Sequence, residues 1–160
     1  MEGSPLSVRV VAGAELLTAS PLYRSTGRSL ELQPLAVPAG ERVKTLALGK
    51  LALTLAFDTQ QLLGLLALCS SGRWRTRDCQ PPPHPDAQGS LIFTVDFREG
   101  DFLFFDFLPR YFYHEESGSL RIQLGEGSAL TVRAGRRLLA GLSRKGELTD
   151  LWLEGLRFRA

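Results

Sequence analysis

The chain contains no asparagine, a single methionine, two cysteines, two histidines and three lysines. Each scarcity excludes something. Without asparagine there is no N-glycosylation acceptor, and turns must be built from Gly, Asp, Ser and Pro. Two cysteines, Cys69 and Cys79, cannot supply the dense disulfide framework of a small secreted domain. With His84 and His114 they are the chain's whole set of soft zinc ligands. A structural zinc site pairs its ligands about two to four residues apart, and these spacings are wider. Both cysteines are therefore read as thiols, with a Cys69–Cys79 disulfide as the one bridge the chain could make. No metal or cofactor is expected.

Catalytic vocabulary is equally thin. There is no phosphate-cradling glycine loop, no His-Glu-x-x-His, no Gly-x-Ser-x-Gly elbow and no Cys-x-x-Cys pair. The net charge of +2 is too small to point to a nucleic acid or a membrane surface. The greasiest window, 46–68, carries Lys50, Asp58, Gln60 and Gln61, which are costly in a bilayer, so no membrane span is expected. Residues 1–17 lack the basic start and long apolar stretch of a signal peptide. The expected compartment is the cytoplasm, and an Arg-rich, Asn-free composition points to a bacterial genome.

What the chain does have is a rhythm of short apolar runs separated by Gly-containing turns, from Leu46 to Phe158. Its 160 residues fit one domain, 1–160, and the 44% apolar share is that of a globular protein. Ser7–Val11 and the alternation after Ser29 read as strands. In Val43–Phe57 the apolar parity switches at Gly49-Lys50, which predicts a bulge or tight bend. Asp58–Gln61 is read as the turn of a hairpin whose second strand is Leu62–Cys69, in preference to a helix capped by Asp58. Residues at about 70–89, with Pro81-Pro82-Pro83 and Pro85, read as one long surface loop. Ser90–Leu108 reads as a hairpin turning at Glu99-Gly100, with a returning strand greasy on both faces and so central in its sheet. The remainder, through Leu120–Leu124, Leu130, Arg137–Leu142, Leu148–Leu153 and Phe158, reads as a meander. The expected fold is mainly β, an antiparallel two-sheet sandwich or flattened barrel with at most one or two short helices. The expected core includes Leu51, Leu53, Leu55, Phe57, Phe93, Val95, Phe102, Phe104, Leu120, Ile122, Leu130, Val132, Leu151 and Phe158.

Three constellations remain. In Arg73-Trp74-Arg75-Thr76-Arg77 an extended chain puts the arginines on one face and Trp74 on the other. Such a face grips carboxylates or phosphates, or it serves as a solvated edge whose tryptophan anchors the loop. Tyr111 and Tyr113, after Pro109, offer large rings with polar tips, which suit a binding surface. Asp106 shares a face with Phe102 and Phe104, and a carboxylate there needs a donor, such as His114 or an arginine. The expected function is a non-enzymatic protein-binding or regulatory module using Arg73, Trp74, Arg75, Arg77, Tyr111 and Tyr113. Its partner is an unknown protein, and a homodimer through an edge strand is open. The alternatives are a β-barrel carrier of an apolar small molecule or lipid, lined by Phe102–Phe107, and a hydrolase-like enzyme using Asp106 and His114.

Overall fold

A computed structural model describes residues 6–13, 16–33, 40–76, 82 and 84–160. Arg77, Cys79, Pro81, Pro83 and the breaks expected at Pro34 and Pro38-Ala39 lie outside the described residues. In chain order the strands are β1 (Val8–Val11), β2 (Ser20–Arg24), β3 (Ser29–Gln33), β4 (Val43–Leu48), β5 (Leu51–Ala56), β6 (Leu62–Leu68), β7 (Ala87–Gln88) and β8 (Ser90–Phe93). They continue as β9 (Phe102–Phe105), β10 (Arg110–His114), β11 (Ser119–Gln123), β12 (Leu130–Gly135), β13 (Leu138–Leu142), β14 (Leu148–Leu153) and β15 (Arg157–Arg159). The only helical element among the described residues is the single 3-10 turn Ser71–Arg73.

The fold is mainly β and has the form of a sandwich. A seven-stranded sheet runs β15-β2-β3-β6-β5-β4-β9, and a six-stranded sheet runs β10-β11-β14-β13-β12-β7. A ribbon of β1 and β8 bridges to both through Gln61–Ile92 and Ser7–Glu147. No sheet closes into a barrel. Alternation decides the inward faces: Leu51, Leu53 and Leu55 from one sheet and Leu120, Ile122 and Leu151 from the other belong to one buried cluster. Three of the strand pairings, β9 on β4, β15 on β2 and β7 on β12, are parallel rather than antiparallel.

The parity switch at Gly49-Lys50 is a tight bend of the sharpest kind. Leu48 pairs with Leu51, so these two residues alone reverse the chain, and Gly49 takes a φ of +62°. Asp58–Gln61 does turn a hairpin, with Leu55 opposite Leu62. The hairpin expected over Ser90–Leu108 does not form. β8 pairs instead with β1, Val8 facing Phe93, and β9 lies parallel to β4. Two-residue hairpin loops favour residues that tolerate positive φ, and Glu99 is a poor one. The chain bends earlier, at Arg98, which takes a φ of +58° while its N–H donates to the Asp96 carboxylate at 2.7 Å.

This correction moves two core residues to the surface. β9 is an edge strand, so Leu103 and Phe105 pack against the core while Phe102 and Phe104 stay 58% and 56% exposed. Leu130 and Phe158 are also exposed, and Phe57 is half-buried under the Arg42 guanidinium, 4.3 Å from its ring. The rest of the expected core is buried.

After β9 the chain crosses to β10 through residues 106–109, passing directly over the β4–β5 turn. A Cβ at Gly49 would collide with the carbonyl oxygen of Phe107. Gly49→Ala should therefore cost more than about 3 kcal/mol, from a strained backbone plus a backbone collision. Gly127 has a φ of +82° but open space around it, so Gly127→Ala should cost only about 1 kcal/mol. Urea titrations of the two variants check this, and equal small losses would contradict the tight crossing.

On the far face of the six-stranded sheet, Asp150 is only 1% exposed and accepts from Arg121 Nε at 2.7 Å and from Thr149 Oγ1 at 2.9 Å. Arg121→Met would strand that carboxylate, with an expected loss of about 3–5 kcal/mol. Adding Asp150→Leu should restore part of it in the same denaturation assay. A double variant as unstable as the single would contradict the assignment.

Candidate functional site

The two sheets leave one end of the sandwich open. The ribbon covers the end marked by the β5–β6 turn. At the other end the β2–β3 turn, the β4–β5 turn, the crossing 106–109, the first residues of β10 and the segment 68–75 enclose a cleft of about 940 Å³.

Its wall is built by the arginine segment. The N–H of Arg75 donates to the carbonyl of Tyr111 at 3.0 Å, and the Arg75 carbonyl accepts from the Tyr113 N–H. Residue 75 thus lies as a short edge beside β10, parallel to it. Arg73 and Arg75 are exposed, while Trp74 turns inward. The Trp74 ring packs on Tyr23 at 4.8 Å, Tyr113 at 5.9 Å and Phe158 at 6.2 Å. Tyr23 Oη adds a second clamp, donating to the Cys69 carbonyl and accepting from the Ser71 N–H, both at 3.0 Å. Trp74 therefore holds the segment in place, and the arginines are presented to solvent.

Five cations line the cleft: Arg28, Lys50, Arg73, Arg75 and Arg110. No ion pair engages any of them, whereas Arg24, Arg42, Arg121 and Arg133 each pair with a carboxylate. Asp106 is the one carboxylate in the lining, and it is exposed at the rim. In a chain of net charge +2, such an excess leaves the remaining surface net acidic. The floor is apolar, with Leu68, Phe107, Leu108, Pro109 and the half-buried Tyr111. Charges held at a concave surface with low-dielectric walls focus their field outward.

Of the residues nominated from sequence, Arg73, Trp74, Arg75 and Tyr111 meet in this cleft, together with Asp106. Tyr113 joins the aromatic cluster behind it. Arg77 lies outside the described residues. His114 is not in the lining; it sits at the far end of β10, where its Nδ1 meets Ser117 Oγ at 2.7 Å. Asp106 and His114 are thus not brought into one cleft. The carrier reading fails on geometry, because no barrel closes and Phe102 and Phe104 point outward. Among the described residues no three of His, Cys, Asp and Glu converge as metal ligands, and no helix is long and apolar enough to cross a membrane. Sequence reasoning missed Arg28, Lys50 and Arg110. A signal was present: Gly27-Arg28 and Gly49-Lys50 both set a cation beside the glycine of a tight turn.

Cys69 carries a free thiol, and Cys79, its partner in the disulfide considered above, lies outside the described residues. Burial pushes the Cys69 thiol up, partly offset by the Trp74 indole beside it. That indole N–H has no partner of full hydrogen-bonding geometry. Burial also raises Tyr111, with the neighbouring Cys69 adding to it, and raises Tyr113, with Glu115 adding to it. The chain matches no family model and no curated protein.

An acid whose pKa is raised by burial stays protonated to higher pH in the folded state than in the unfolded one. Alkylation of Cys69 by iodoacetamide, followed in a Cys79→Ser background, should therefore reach half its limiting rate above the ordinary thiol value of 9.0. Urea should bring the midpoint down. A folded-state midpoint at or below the unfolded one would contradict the buried environment.

Proposed function

We propose that the chain is a non-enzymatic protein-binding module of a bacterial cytoplasm, and that the open end of its sandwich receives an acidic segment of a partner protein. One observation carries the reading: five cations without a carboxylate partner line one cleft over an apolar floor. Arginine suits such a task, since its planar fork matches carboxylate geometry and stays charged at every physiological pH. The apolar floor favours a peptide, which brings Leu- or Phe-type side chains along with its carboxylates, over a bare polyanion. Absence of the usual catalytic motifs agrees with a module that binds without transforming. A regulatory role follows from the same surface, because an acidic segment can be presented or withdrawn by its owner.

The test uses a short fluorescein-labelled peptide alternating Glu and Leu, followed by anisotropy. Binding is expected, and it should weaken as salt rises past about 0.1 M, where the Debye length is about 10 Å. The Arg73→Glu/Arg110→Glu variant should lose about tenfold or more in affinity, equivalent to about 1.4 kcal/mol, with an unchanged melting temperature. Both residues are exposed and unpaired, so the fold does not need them; Trp74 is left intact because it packs. No binding of the Glu/Leu peptide, or equal binding of a Lys/Leu peptide, would sink the reading. Tighter, sequence-independent binding of single-stranded oligonucleotide would replace it with a nucleic-acid function.

A further inference from the structure

The seven-stranded sheet has a second surface with a different character. Its outward face carries Leu66 and Leu68 on β6, and Phe102 and Phe104 on β9, exposed by 43%, 52%, 58% and 56%. Between these ridges lie β5 and β4. The register aligns Leu66, Ala52, Ala47 and Phe104 in one row across four strands, and Gly64, Thr54, Thr45 and Phe102 in the next. The face is thus two apolar ridges, about 14 Å apart at a strand spacing of about 4.8 Å, with a trough of small side chains between them.

We propose that this face is the interface of a homodimer, with a second copy of the chain as its occupant. Three arguments favour a second copy. First, the relief is self-complementary. A two-fold axis through the trough turns the β9 ridge of each protomer into the β4–β5 trough of the other, which is the isologous arrangement of a closed dimer. Second, the charges agree. An isologous interface sets each group near its own kind, so a charged patch repels its copy, and these two rows hold no ionisable side chain. The basic cleft, by the same logic, cannot face its own copy. Third, the area fits. Half of a large apolar side chain is on the order of 100 Å², so the four ridge residues expose about 400 Å² of apolar surface. A standard interface takes about 800 Å² from each partner, somewhat over half of it apolar. The ridges supply that apolar part, and Thr45, Thr54 and the polar margin supply the rest.

The inference is independent of the acidic-segment reading, and its test does not touch the cleft. Sedimentation velocity of the whole chain between about 1 and 200 µM should show a monomer–dimer equilibrium shifting to dimer as concentration rises. Leu66→Glu/Phe104→Glu should sediment as monomer throughout, with a melting curve like that of the parent at low concentration, because both side chains are already exposed. Phe102→Glu alone makes the same point if the double variant fails to fold. Arg73→Glu/Arg110→Glu should remain dimeric. A parent chain that stays monomeric across the range, or ridge variants that still dimerise, would overturn the proposal.

Discussion

Everything at the functional end of this molecule depends on one close approach, the backbone of Phe107 lying against Gly49. The two sheets can share a core only if the chain passes from the edge of one to the edge of the other. It does so between β9 and β10, in four residues that end at the buried Pro109. That short path runs over the β4–β5 turn, and only a residue without a Cβ leaves room for it. The same glycine supplies the positive φ that makes the turn a two-residue reversal. One position therefore serves strand pairing, sheet closure and the wall of the cleft. Its neighbour in sequence, Lys50, is carried into the lining as a consequence.

The cations reach the cleft by geometry that has little to do with one another in sequence. Arg28 and Lys50 ride on hairpin tips, Arg73 and Arg75 on the segment clamped by Trp74 and Tyr23, and Arg110 on the first residue of β10. Strand ends that must coincide for the core to close bring their turns to the same end. The charge concentration is thus a product of topology, and it is left uncompensated. Elsewhere the protein pairs its arginines, even at the cost of burying Asp150 under Arg121. Leaving five unpaired at one concave place is the feature that most needs a partner to explain it.

Much of the architecture was legible because leucines alternate cleanly. Leu51, Leu53 and Leu55 announce an inward face, and Leu120 with Ile122 announces another. The parity break at Gly49-Lys50 located the tightest turn in the molecule. The failures have a common cause, the partner of a strand. Phe102 and Phe104 look like core in a run of five apolar residues, and whether they are buried depends on what covers the outer face of β9. A strand apolar on both sides is central in one topology and an edge with a docking face in another, and local pattern does not distinguish them. Of the site, Arg73, Trp74, Arg75 and Tyr111 could be nominated because they cluster along the chain. Arg28, Lys50 and Arg110 could not, since only the closed sandwich brings them to the others.

The two surfaces divide the labour by charge. The basic end repels its own copy and suits an acidic ligand, while the apolar outer face tolerates its copy and offers a carboxylate nothing. A dimer joined through that face would carry two clefts, so a partner with repeated acidic segments would gain from avidity. The most direct test of the cleft is a titration of the isotope-labelled protein with the Glu/Leu peptide, followed by NMR at the backbone amides and arginine side chains. Shifts of Arg28, Lys50, Arg73, Arg75 and Arg110 that saturate together are the predicted result. Shifts confined to β5, β6 and β9, or no saturable shift at all, would contradict the account.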